Sequence, residues 1–171
     1  MKKILIIEDD ETSAMIMEQF LSKMDVEISL AETGYEALES IEGNEPDLIL
    51  LDLGLPDIKG MDLIKKIREK TSISEIIIVT GEEAVESAVE AIRLGARDYL
   101  EKPVNKDRLQ ISVRNVFDRI ELSRQIAEIK QNKDKRNGFQ DFVGYSTAMQ
   151  ILYKAIENSA QSNERVFIVG E

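Results

Sequence analysis

Five polar side chains stand where apolar runs stop. Glu8 and Asp9 follow Ile4–Ile7, Asp52 follows Leu48–Leu51, Thr80 follows Ile76–Val79, and Lys102 closes a weaker stretch, Arg97–Lys102. A carboxylate delivered from the end of four aliphatics is expensive to bury unless something compensates it. Asp10 follows Asp9 directly, so three or more carboxylates share one rim if these strands lie side by side. Such a group repels itself and raises its own pKa values unless a cation joins it, and Lys102 brings a single charge. The chain contains neither histidine nor cysteine, so any metal there has oxygen ligands alone, which favours Mg²⁺. A carboxylate beside Mg²⁺, a lysine and a hydroxyl is equipped to attack phosphorus and form an aspartyl phosphate. Phosphoryl transfer mostly requires positioning and charge neutralisation, which this set supplies. On that chemistry Asp52 is the nucleophile and Glu8 and Asp9 hold the metal. Lys102 binds one phosphoryl oxygen as a point charge and Thr80 hydrogen-bonds another. Asp10 and Thr12 suit a helix cap, and Asp57 in "LPDIKG" reads as a turn residue.

These residues reach one place only if the intervening elements deliver them. The three apolar runs and an alternating "VEISLAE", Val26–Glu32, read as strands. Between them the apolar residues fall at helical spacing: Met17, Phe20, Leu21 and Met24; Ala37, Leu38 and Ile41; Leu63, Ile64 and Ile67; Val85, Ala88, Val89 and Ile92. After "RDYLEK" a long helix begins near Lys106, with Leu109, Val113, Val116, Phe117 and Ile120 on the face that should pack on the sheet. Strict alternation of strand and helix predicts an α/β fold, a doubly wound five-stranded parallel sheet, because each parallel connection needs a crossover. Ligands in such folds collect outside the carboxyl ends of the strands.

Composition narrows the remaining classes. Zero cysteines exclude disulfides and thiol nucleophiles, and zero histidines remove the commonest general base. The net charge of −11 is uneven: residues 1–105 hold 24 acidic and 11 basic side chains, whereas residues 106–136 hold 5 and 9. An acidic body argues against direct nucleic-acid binding by the first segment. No apolar run approaches membrane-spanning length, so no membrane association and a cytoplasmic location are expected.

In order and spacing, "ILIIEDD", "DLILLDLGLPDIKG", "IIIVTGEE" and "DYLEKP" resemble the receiver domain of two-component response regulators, over Met1 to about Asp118. The resemblance implies the flavodoxin-like receiver fold, Mg²⁺ as cofactor and a sensor histidine kinase as phosphoryl donor. It makes Asp52 the phospho-acceptor, Glu8 and Asp9 the acidic pair, and Gly54 the residue whose backbone carbonyl reaches the metal. It makes Lys102 the conserved-type lysine, Thr80 the switch hydroxyl and Tyr99 the switch aromatic, with a cis Lys102–Pro103 bond. Asp9 and Asp10 are the other possible pair; the 43-residue step from Asp9 to Asp52 is similar to that of family members with a Glu-Asp pair. The face formed by the fourth helix, fifth strand and fifth helix is then the one that changes partner.

Residues 119–138 are expected to be a helical linker. A second stripe, Leu122, Ile126 and Ile129, is offset from the first and suggests a short coiled coil, hence a homodimer through that face and the linker. "KQNKDKRNG", Lys130–Gly138, has linker composition. Residues 139–171 resemble the opening of the AAA+ domain of sigma-54-dependent transcriptional activators, whose strand "VFIVGE" would run into a phosphate-binding loop. Only Gly170 and Glu171 of that loop are present, so no ATP hydrolysis is expected of this polypeptide, and no helix-turn-helix is visible. The expected function is a phosphorelay switch controlling sigma-54-dependent transcription, the alternative being a stand-alone signalling adaptor.

Overall fold

The computed structural model describes the backbone of residues 1–81, 85–136, 138–139, 142–143 and 146–160, and the side chains of residues 1–81, 89–128, 146–149 and 151–159. The chain divides into two compact units, Met1–Ile120 and Glu121–Glu171. In the first, five strands alternate with helices: β1 (Lys2–Ile7), α1 (Glu11–Leu21), β2 (Val26–Ala31), α2 (Gly34–Gly43), β3 (Leu48–Leu51), α3 (Gly60–Lys70), β4 (Glu75–Thr80), α4 (Val85–Arg93), β5 (Asp98–Glu101) and α5 (Lys106–Arg136). All pairings are parallel in the order β2-β1-β3-β4-β5. This is the doubly wound, flavodoxin-like architecture that the alternation predicts, with winding reversed between β1 and β3.

The reversal divides the helices between the two faces. Alternate strand residues point to opposite sides, so Ile4, Ile6, Leu48, Leu50, Ile77 and Val79 meet α1 and α5 through Met17, Leu21, Leu109, Val113 and Val116. Leu5, Ile7, Ile49, Leu51, Ile76 and Ile78 meet α2 and α3 through Ala37, Ile41, Leu63, Ile64 and Ile67. β1, β3 and β4 are therefore apolar on both faces, which is why they read as unbroken aliphatic runs rather than alternating ones.

One element differs from expectation. α4 forms, but Val89 and Ile92 are 62% and 47% exposed, while Ala91 is buried. These two aliphatics stand out as an apolar surface; the side chains of Val85 and Ala88 lie outside the described residues. α5 continues to Arg136, so the segment expected as a helical linker, 119–138, is helical as far as Arg136. It has no Gly or Pro before Gly138, and Lys, Arg and Gln are good helix formers.

In the second unit, β6 (Gly138–Phe139) and β7 (Phe142–Val143) pair antiparallel and precede α6 (Thr147–Ala160), on which Tyr153 is buried. Leu122 and Ile126 of the second stripe are exposed; the side chain of Ile129 and the "VFIVGE" segment lie outside the described residues. Among the described residues no helix is long and apolar enough to cross a membrane.

Candidate functional site

Glu8, Asp52 and Lys102 each sit one step past the regular end of a strand, where the ladder still holds the backbone. The Glu8 N–H donates to the Ala31 carbonyl of β2 at 3.0 Å, the Asp52 N–H to Ile7 of β1 at 2.9 Å, and the Lys102 N–H to Thr80 of β4 at 2.7 Å. Sheet hydrogen bonding therefore runs into the site and fixes the three Cα positions before any side-chain contact is counted. Lys102 precedes a cis bond to Pro103.

The side chains then converge. Lys102 Nζ donates to Asp52 Oδ2 at 2.6 Å and to Glu8 Oε1 at 2.7 Å. Glu8 Oε2 is also 2.6 Å from Nζ, as an ion-pair contact, and has no aligned hydrogen-bond donor among the described residues. One carboxylate oxygen from each of Glu8, Asp9 and Asp52 lies within 4.8 Å of the others. Glu8 and Asp52 are buried and Asp9 is exposed. This is a cluster open to solvent on one side with an all-oxygen donor set and more negative than positive charge, which fits a small hard cation such as Mg²⁺.

The electrostatics follow from burial. Desolvation raises the Glu8 carboxyl above its ordinary value; the Lys102 hydrogen bond works against that rise and the Asp52 charge reinforces it. Desolvation alone would lower Lys102, yet the hydrogen bonds from Asp52 and Glu8 carry its ammonium above its ordinary value. One ammonium thus stands among three carboxylates, and Glu8 bears the deficit. A divalent cation at the cluster would offset the remaining negative charge.

Thr80 is buried at the end of β4 and, with Asp52, Gly54, Met61, Gly81 and Lys102, lines a cleft of about 740 Å³. Gly54 lies at the mouth, its N–H donating to Asp52 Oδ1 at 3.0 Å. Tyr99 packs against the α2–α3 side of the core, and its hydroxyl is buried with no hydrogen-bond partner among the described residues. Asp10 is turned away from the cluster. It caps α1, accepting from Thr12 N, Ser13 N and Ser13 Oγ, and the Ser13 hydrogen bonds hold its carboxyl below the usual range.

One residue of this region was not legible as anything but a turn former. Asp57 Oδ1 accepts from Gly34 N at 3.0 Å and Oδ2 from Tyr35 N at 2.9 Å, capping α2 from 22–23 residues away. Partial desolvation pulls its carboxyl up, and the backbone donors, Gly34 and Tyr35 foremost, more than reverse this and leave it below the usual range. No local spacing signals a cap supplied across two loops.

Residues 4–114 match the response regulator receiver domain family. The regulatory protein LuxO of Vibrio cholerae is 39% identical over 167 residues, which cover 97% of this chain and 35% of that protein. The chain thus spans about a third of the length of that relative. Among solved structures, a CheY-like response regulator receiver domain protein from Methanospirillum hungatei is 32% identical, with a TM-score of 0.68 over 72% of this chain and 98% of that one. NtrX from Brucella abortus is 30% identical, with a TM-score of 0.72 over 97% of this chain and 36% of that one.

Proposed function

The chain belongs to the response regulator receiver domain family, and from that premise we propose that it is a phosphorelay switch whose acceptor is Asp52. The observation that carries this reading is the meeting of Lys102 with Asp52 and Glu8 within 2.7 Å, beside Asp9, at the ends of three separate strands. Glu8, Asp9, Asp52 and the Gly54 carbonyl would hold Mg²⁺, which when bound neutralises the carboxylates and the incoming phosphoryl oxygens. An Asp52 oxygen attacks phosphorus, the bond from phosphorus to the imidazole nitrogen of a phosphorylated histidine kinase or to the acyl oxygen of a small acyl phosphate breaks, imidazole or carboxylate leaves, and an acyl phosphate remains on Asp52. Lys102, kept protonated by its two carboxylate partners, exchanges Asp52 for a phosphoryl oxygen, and the Thr80 hydroxyl donates to another. The Tyr99 hydroxyl, buried with no hydrogen-bond partner among the described residues, follows Thr80.

The domain division that accompanies this reading is a receiver over residues 1–118, a helical linker over 119–138, and the first part of an AAA+ sigma-54 interaction domain over 139–171. Likeness along nearly the whole chain to LuxO and NtrX supports it. The output would be sigma-54-dependent transcription in the cytoplasm. Homodimerisation would use α4, β5, α5 and the linker, where Val89, Ile92, Leu122 and Ile126 are exposed.

The test is intact-mass and NMR observation of the protein with acetyl phosphate, or with beryllofluoride, in the presence of Mg²⁺. The expected result is one phosphoryl group per chain, shifts at Thr80 and Tyr99, and loss of both in Asp52→Ala. Absence of any change, or an Asp52→Ala protein that behaves like the parent, overturns the proposal. A phosphorylated chain whose gene continues into no ATP-binding loop would retain the switch and make it an adaptor.

A further inference from the structure

The loop between Asp52 and Gly60 carries Gly54 and forms one wall of the cleft, so its position decides where the Gly54 backbone stands. Leu55 is buried in the core, and three further contacts hold the loop. At its start the Gly54 N–H meets Asp52 Oδ1. At its end Gly60 is pressed on Leu53, so that a Cβ there would stand 2.6 Å from the Leu53 Cα. At its middle Asp57 accepts the first two backbone N–H groups of α2. The third N–H of α2, from Glu36, goes to Thr33 Oγ1 at 3.2 Å. α2 therefore has a cap of its own, and Asp57 supplies two donors' worth of capping from another loop. Gly34, which donates to Asp57, also has no room for a side chain, because Ile58 packs where its Cβ would stand.

Thr33 satisfies one of the first three N–H groups of α2, and Asp57 ties the other two to a loop whose Leu55 is buried in the core while Pro56 and Lys59 are exposed. The geometry points to Asp57 as a positioning residue of the metal and phosphoryl site. Its bidentate hold on the α2 N-terminus, favoured by the helix dipole, fixes the β3–α3 loop and through it the Gly54 backbone beside Asp52. This rests on the reading of Asp52 as the acceptor and extends it to a residue that touches neither metal nor phosphoryl group.

The experiment compares the parent, Asp57→Asn, Asp57→Ala and Thr33→Ala. Thr33→Ala weakens the same helix start from the α2 side but leaves the loop anchored. Mg²⁺ alone is titrated while the Gly54 amide is followed by NMR, and amide exchange of Gly54 is measured in the metal-free protein. Asp57→Ala should weaken Mg²⁺ binding by about tenfold, the scale of a lost outer-shell partner, with faster Gly54 exchange; Asp57→Asn, which keeps one acceptor oxygen, should fall between it and the parent. Thr33→Ala should lower stability yet bind Mg²⁺ and protect Gly54 like the parent. Parent-like affinity in Asp57→Ala, or equal weakening in Thr33→Ala, overturns the inference. A parent that binds no Mg²⁺ overturns the functional reading instead, and the metal-free exchange then decides: unchanged Gly54 protection in both Asp57 variants overturns the anchor, and faster exchange in them upholds it.

Discussion

Replacing Lys102 by methionine removes the cation that meets Glu8 and Asp52 while keeping most of the length of the side chain. At 2.6 Å and an effective dielectric of about 20, each of its contacts is worth about 6 kcal/mol before solvation is counted. Desolvation of the ammonium offsets most of this, and removing one partner of a buried pair typically costs about 3–5 kcal/mol. The lysine side chain keeps 22% of its surface exposed, which favours the lower end, about 3 kcal/mol. With a urea m-value of about 2 kcal/mol/M, the unfolding midpoint should fall by about 1.5 M. Circular dichroism and the amide signals of Ile49 and Ile77 would follow it. The loss should depend on pH in a defined direction. Glu8 already titrates above its ordinary value because of burial, with Lys102 holding it down; without Lys102 it rises further. A carboxyl raised in the folded state contributes stability that is fully present below its unfolded value, near 4.5, and is lost as pH rises through the folded value. Lys102→Met should therefore approach the parent in acid and diverge from it toward neutrality, and Mg²⁺ should stabilise the variant more than the parent. A variant as stable as the parent at neutral pH, with no greater response to Mg²⁺, would refute the electrostatic account of the site.

Asp9→Asn should weaken Mg²⁺ binding by more than about tenfold, the lower bound for outer-shell losses, whereas Asp10→Ala should lower the melting temperature and leave Mg²⁺ affinity unchanged; NMR titration separates the two. Gly60→Ala forces a Cβ against the Leu53 backbone and should cost about 1–3 kcal/mol in chemical unfolding, as overpacking does. Ile77→Ala, in a strand residue with no exposure, should cost about 2–5 kcal/mol by the same measurement.

The sheet was legible because β1, β3 and β4 are covered on both sides and so advertise themselves as aliphatic runs. The cluster was legible for a related reason: a polar residue at the end of such a run lies at the carboxyl edge in any parallel sheet, so Glu8, Asp52, Thr80 and Lys102 had one place to go. Helical period located α4 but not its exposed side, since periodicity states that one face is apolar and not that a neighbour covers it; Val89 and Ile92 show the difference. Lys130–Arg136 combines linker composition with helix, because Lys, Arg and Gln are good helix formers. Asp57 lay beyond reach because its partners, Gly34 and Tyr35, are brought to it by tertiary folding alone.

Every pairing in the sheet spans a crossover, and Lys102 reaches Glu8 across 94 residues and Asp52 across 50. No hairpin or local segment of this chain holds even two of the three groups in their working arrangement. On the proposed reading, a molecule that has not yet brought β1, β3 and β5 into one sheet has no assembled acceptor site, so the site forms only with the non-local pairings that are the slow part of folding.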